Sequence, residues 1–129
     1  MTSEGKNARD PLIFVVDDEP MLLELAKAIL LPRGFQVQTF RSPESTLEVY
    51  RTLKEYPALI LTDYAMHAMT GMDLIRDARK INPKQKIILV SGTVDENIYR
   101  HAAEKPDRFI AKPYETDKMV ELIRELIAG

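Results

Sequence analysis

Five short apolar runs rich in β-branched residues recur along the chain: Leu12–Val16, Phe35–Phe40, Ala58–Leu61, Lys86–Val90 and Arg108–Ala111. Each has the length of an ordinary strand. Between them apolar residues fall at helical spacing. Leu22, Leu25, Ala26 and Ile29 stand at i, i+3, i+4 and i+7 and predict the buried face of a first helix. Leu47, Tyr50 and Leu53 belong to a second, over roughly Glu44–Tyr56. Leu74, Ala78 and Ile81 predict a third, and Met119, Leu122, Ile123 and Leu126 a last one. A short polar segment, roughly Asp95–Glu104, fills the place of a fourth.

Local punctuation divides the chain in the same way. Ser42-Pro43 reads as an N-cap with proline in the first helical position. Thr93-Val94-Asp95-Glu96 has the form of a capping box, and Thr70 with Asp73 is a close variant. Pro32-Arg33-Gly34 and Asn82-Pro83 end the first and third helices. The order is βαβαβαβαβα, which predicts an α/β fold: a doubly wound parallel sheet with helices on both faces. The first and third strands are apolar almost throughout, as strands covered on both faces should be.

At 129 residues the chain is sized for one domain with a real core. Residues 11–129 are read as that domain, and Met1–Asp10 as a flexible polar leader without the apolar core of a signal peptide. The net charge of −2, with basic residues scattered, argues against a nucleic-acid footprint. The absence of cysteine excludes disulfides and thiolate metal sites. No apolar run approaches the roughly 20 residues of a membrane span. A cytoplasmic location is the expectation.

In open parallel sheets ligands bind beyond the carboxyl ends of the strands. Asp17, Asp18 and Glu19 follow the first strand, Asp63 the third, Ser91 and Gly92 the fourth, and Lys112 the fifth. Each has a bland reading alone. The acidic run suits a helix start, Asp63 and Ser91-Gly92 suit turns, Lys112 suits solvent, and Phe109 suits the core. Met66, Met69 and Met72 are expected to pack a loop, and His67 and His101 to lie at the surface. The convergence of carboxylates, a hydroxyl and an ammonium on one rim is what points to function. Clustered carboxylates repel one another unless protonated or neutralised by a cation. Magnesium takes hard oxygen ligands, commonly one or two carboxylates with phosphate oxygens. A carboxylate in such a place could act as a nucleophile toward phosphorus, with lysine and serine holding phosphoryl oxygens.

Four segments together resemble the response-regulator receiver family from Leu12 to Ala128. They are Ile13-Phe14-Val15-Val16-Asp17-Asp18-Glu19-Pro20, Asp63-Tyr64-Ala65-Met66-His67-Ala68-Met69-Thr70-Gly71, Val90-Ser91-Gly92 and Phe109-Ile110-Ala111-Lys112-Pro113. The resemblance implies a flavodoxin-like (βα)5 fold with strand order 2-1-3-4-5. It implies Asp63 as phosphoacceptor and Mg2+ ligand, Asp18 as a direct ligand and Asp17 mostly through water. The main-chain carbonyl of Ala65 would complete the protein's share. Ser91 and Lys112 would hold phosphoryl oxygens, and Ser91 and Phe109 would take part in switching. A histidine kinase or phosphotransfer protein would be the donor. The family's output surface is the fourth helix, fifth strand and fifth helix.

Two departures stand out. His67 replaces a usual proline, and Glu104-Lys105-Pro106-Asp107 replaces the usual Ala-Gly-Ala stretch before the last strand. An aspartate-nucleophile phosphohydrolase is the alternative from another class. It would need a second acid two residues after the nucleophile, where this chain has Ala65. A docking module that is never phosphorylated is a third reading, opposed by retention of the whole residue set.

Overall fold

A computed structural model of the chain, describing residues 10–66, 69–92, 100, 102–113 and 115–129, contains all five expected strands. They are β1 (Leu12–Val16), β2 (Gln36–Phe40), β3 (Leu59–Asp63), β4 (Ile87–Ser91) and β5 (Arg108–Ala111). All neighbouring strands pair in parallel, in the order β2-β1-β3-β4-β5. This is the flavodoxin-like receiver arrangement. From β1 the chain steps outward to β2 and then back across to β3, so the strand order reverses between β1 and β3. That reversal opens a crevice at their carboxyl ends. β3 runs two residues further than its apolar run suggests and β4 one, and those extra rungs are Thr62, Asp63 and Ser91.

Side-chain alternation sends each central strand to two cores. Ile13, Val15, Leu59, Leu61, Ile88 and Val90 face helix α1 (Pro20–Leu30) and helix α4 (Thr116–Ala128). Phe14, Val16, Ile60, Ile87 and Leu89 face helix α2 (Pro43–Tyr50) and helix α3 (Gly71–Ile81). β3 and β4 are buried along their full length. Capping follows the expected residues. Ser42 Oγ accepts from the Ser45 amide, and Thr70 with Asp73 forms a complete capping box.

The sequence reading needs two corrections. In α1 the buried residues are Leu23, Ala26, Ile29 and Leu30, whereas Leu25 is exposed. The stretch Met21–Leu31 is apolar almost all round, so spacing alone could not choose the inward face. α2 stops at Tyr50 rather than near Tyr56. There the amides of Thr52 and Leu53 reach back only three residues, to Val49 and Tyr50, and the Thr52 hydroxyl also bonds the Val49 carbonyl. That tightening ends the helix. Leu53 still packs on the core from outside it. Most of the expected fourth helix, with its capping box at 93–96, lies outside the described residues. Ala102–Glu104 are irregular. The leader, apart from Asp10, also lies outside them, as do His67 and His101. Among the described residues no helix is long and apolar enough to cross a membrane.

Candidate functional site

Asp63 is the last residue of β3 and Asp17 is the first residue beyond β1. The sheet therefore fixes both backbones at adjacent strand ends. The Asp17 amide donates to the Phe40 carbonyl at 3.1 Å, which continues the β1–β2 ladder. The Tyr64 amide donates to the Val90 carbonyl at 2.8 Å, which continues β3–β4. Both carboxylates are nearly buried, at 7% and 6% exposure for Asp17 and Asp63. Asp18 is half-buried beside them. One carboxylate oxygen from each of the three lies within 4.8 Å of the others.

Lys112 enters from the end of β5. Its amide donates to the Ser91 carbonyl at 2.8 Å, so it continues the β4–β5 ladder. Its Nζ stands 2.7 Å from Asp63 Oδ1 and 3.8 Å from Asp17 Oδ2. The peptide bond joining Lys112 to Pro113 is cis. Asp17 Oδ1 accepts from the Glu19 amide at 2.9 Å, which aims that carboxylate over the crevice. Ser91 is buried at the end of β4, one rung beyond the Asp63–Val90 pair. Ala65 is exposed two residues after Asp63, and Phe109 is half-buried against the α2–α3 core. Met66 and Met69 pack against that same core from the loop, as expected, and Met72 does so from the first turn of α3.

The electrostatics are unbalanced. Burial pushes the Asp63 carboxyl above its ordinary value, against the pull of its hydrogen bond and ion pair with Lys112. Asp17 is raised as well, by burial first and by repulsion from Asp63 and Asp18, with the Glu19 amide opposing. Burial pulls the Lys112 ammonium down. The hydrogen bond and charge of Asp63, with Asp17 and Glu19, outweigh it and leave the ammonium raised. Lys112 thus pairs with two of the three crowded carboxylates, Asp63 and Asp17. The donors are all hard oxygens converging within a few ångströms, a set that fits a divalent cation.

Gly71 contributes by lacking a side chain. A Cβ there would sit 2.4 Å from the Asp63 carbonyl oxygen and 2.7 Å from Leu89 Cδ1. The Gly71 amide also donates to the Tyr64 carbonyl at 2.9 Å. The first turn of α3 is therefore pressed against the backbone of Asp63. Glycine directly after a threonine N-cap was the sequence signal for this close approach.

The family model for the response regulator receiver domain matches residues 13–124. The chain belongs to the response regulator receiver domain family. It is 28% identical over 116 residues to the chemotaxis protein CheY of Thermotoga maritima, covering 88% of this chain and 95% of that one. It is 26% identical to the probable transcriptional regulatory protein TcrX of Mycobacterium tuberculosis, covering 89% of this chain but only 49% of that longer protein. Among solved structures, a receiver domain protein from Clostridium thermocellum superposes with a TM-score of 0.84 at 27% identity, covering 92% and 94% of the two chains. The response regulator TrrA of Thermotoga maritima, crystallised with Mg(2+)-BeF, superposes with a TM-score of 0.78 at 27% identity, covering 90% and 98%. As a receiver domain the chain is a signalling switch with self-directed phosphotransfer and autophosphatase activity, not an enzyme that turns over an outside substrate. Its acidic cluster is consistent with a phosphoacceptor site and with divalent-cation binding.

Proposed function

We propose that residues 11–129 form a cytoplasmic receiver that takes a phosphoryl group on Asp63 from a histidine kinase or phosphotransfer protein. The observation that carries this reading is the 2.7 Å contact between Lys112 Nζ and Asp63 Oδ1 beside two further carboxylates on one rim. A carboxylate oxygen of Asp63 attacks phosphorus, the P–N bond of the donor's phosphohistidine breaks, and the imidazole nitrogen leaves with the bonding pair. Lys112, already beside the attacking carboxylate, then pairs with a phosphoryl oxygen as the carboxylate charge is spent in the new bond. Ser91, held at the end of β4, donates its hydroxyl to another.

Asp17, Asp18, Asp63 and the Ala65 carbonyl would hold Mg2+. When bound, the ion neutralises the carboxylates and offsets the charge on the transferring group. Crystallisation of TrrA with Mg(2+)-BeF supports the assignment by likeness. Phosphorylation would bias a two-state equilibrium read through Ser91 and Phe109 and displayed on the surface that includes β5 and α4. Incubation with acetyl phosphate and magnesium should add one equivalent of phosphoryl group, labile in alkali as an acyl phosphate is. Steady hydrolysis of phosphate esters without labelling would favour the phosphohydrolase instead.

A further inference from the structure

β5 carries Lys112 at its end, yet it is the least firmly specified strand of the sheet. It has four residues, lies at the edge, and pairs only with β4. Only Ile110 is buried, while Arg108 is exposed. A hydrophobic pattern that thin specifies register weakly. A slip of one residue would displace the strand by about 3.3 Å and turn every side chain to the opposite face. Lys112 would then leave Asp63.

The opposite end of β5 holds a polar device. Asp107 Oδ2 accepts from the Ile87 amide at 2.7 Å, and the Asp107 amide donates to the Ile87 carbonyl at 2.8 Å. This two-way clasp joins the residue before β5 to the first residue of β4. Arg79, from the last turn of α3, holds the clasp in place. Its Nη2 stands 2.8 Å from the same Asp107 Oδ2, and its Nε donates to the Gln85 carbonyl at 3.2 Å. Its Nη1 donates to the Lys105 carbonyl and faces Glu104 Oε1 at 3.4 Å. The Arg79 side chain is only 10% exposed, and charge-assisted bonds in such surroundings are strong and directional.

We propose that Asp107 and Arg79 are positioning residues that lock the register of β5 and thereby place the Lys112 ammonium against Asp63. The proposal rests on the reading of Asp63 as phosphoacceptor. The lock fixes one end of the strand, and the bond from the Lys112 amide to the Ser91 carbonyl fixes the other. Asp107→Ala removes the side-chain half of the clasp and the ion pair, and keeps the bond donated by the main-chain amide. Asp107→Asn keeps an oxygen for the Ile87 amide but loses the charge. Arg79→Met keeps the length of the stem and loses every donor.

The test measures phosphorylation by acetyl phosphate at saturating magnesium, well below the melting temperature of each variant. The maximal rate should fall by at least about tenfold in Asp107→Ala, since small misplacements of reacting groups are costly. Asp107→Asn should be intermediate, and half-saturating donor and magnesium affinity should not change. A merely structural role would lower the melting temperature and leave the rate alone. Wild-type rates in both Asp107→Ala and Arg79→Met would overturn the proposal. If the wild type itself takes no phosphoryl group, the phosphoacceptor reading fails and the lock is judged by NMR. Loss of the cross-strand contact between Ser91 and Ala111 in Asp107→Ala would uphold it, and an unchanged contact would overturn it. Should Asp107→Ala not fold, Arg79→Met and Asp107→Asn carry the same measurements.

Discussion

The two ends of this sheet both gather buried charge, and they treat it in opposite ways. At the carboxyl ends of β1 and β3, Asp17 and Asp63 share the ammonium of Lys112, with Asp18 beside them. At the amino ends of β4 and β5, Arg79 meets Asp107 and Glu104, and its remaining donors reach main-chain carbonyls. Nearby, the Tyr50 hydroxyl donates to Gln85 Oε1 at 2.7 Å, and Gln85 Nε2 donates to the Pro57 carbonyl at 3.1 Å. The amino end is matched donor to acceptor and stabilises the fold. At the carboxyl end burial raises the carboxyl groups of Asp17 and Asp63. Raised carboxyl groups crowded at strand ends are consistent with a divalent-cation and phosphoacceptor site.

The comparison can be broken at several points. The largest effect on stability is expected for Gly71→Ala, where the new Cβ would meet the Asp63 carbonyl and Leu89 at impossible distances. Urea unfolding should show a loss of about 3 kcal/mol, because backbone there has little room to shift. A loss near zero would mean that α3 is not pressed on the end of β3.

The amino end should be sensitive to alkali. Burial pushes the Tyr50 hydroxyl up to about 12 from an ordinary value of 10.0. Because the folded value is raised, the stabilisation is fully present below pH 10 and is lost as pH rises through 12. Its size is about 2 kcal/mol, by linkage. Tyr50→Phe removes that alkaline loss, and at neutral pH it leaves Gln85 Oε1 without its buried donor at a cost of roughly 1–2 kcal/mol. Unfolding curves at neutral and alkaline pH for both proteins check the pair of effects.

The carboxyl end should respond in the other direction. The raised Asp17 value means that its contribution favours folding in acid and is lost as pH rises through the folded value. At neutral pH without metal, the ionised group therefore costs stability. Asp17→Asn keeps an oxygen for the Glu19 amide and should stabilise the metal-free protein. The same change should shrink the rise in melting temperature that magnesium gives the wild type. Destabilisation without metal would show that the cluster is not under electrostatic strain.

Much of this contrast was readable in the chain before any coordinates. Strand-end placement alone brought Asp17, Asp18, Asp63, Ser91 and Lys112 to one rim, because strands of a parallel sheet end on the same side. Strand order was not readable from spacing and came only with the family resemblance. The inward face of α1 was hidden by an excess of apolar residues, and the end of α2 by a turn made with side-chain and short-range backbone bonds. The Arg79–Asp107 contact joins residues 28 apart. No local periodicity announces a contact of that kind.

The central claim is that Asp63 is the nucleophile of the unbalanced end. Intact-mass spectrometry of the wild type and Asp63→Asn, each treated with acetyl phosphate and magnesium, tests it most directly. Asparagine keeps the shape of the side chain but lacks the nucleophilic carboxylate oxygen. The wild type should gain the mass of one phosphoryl group and Asp63→Asn none. Equal labelling of the two proteins would contradict the account.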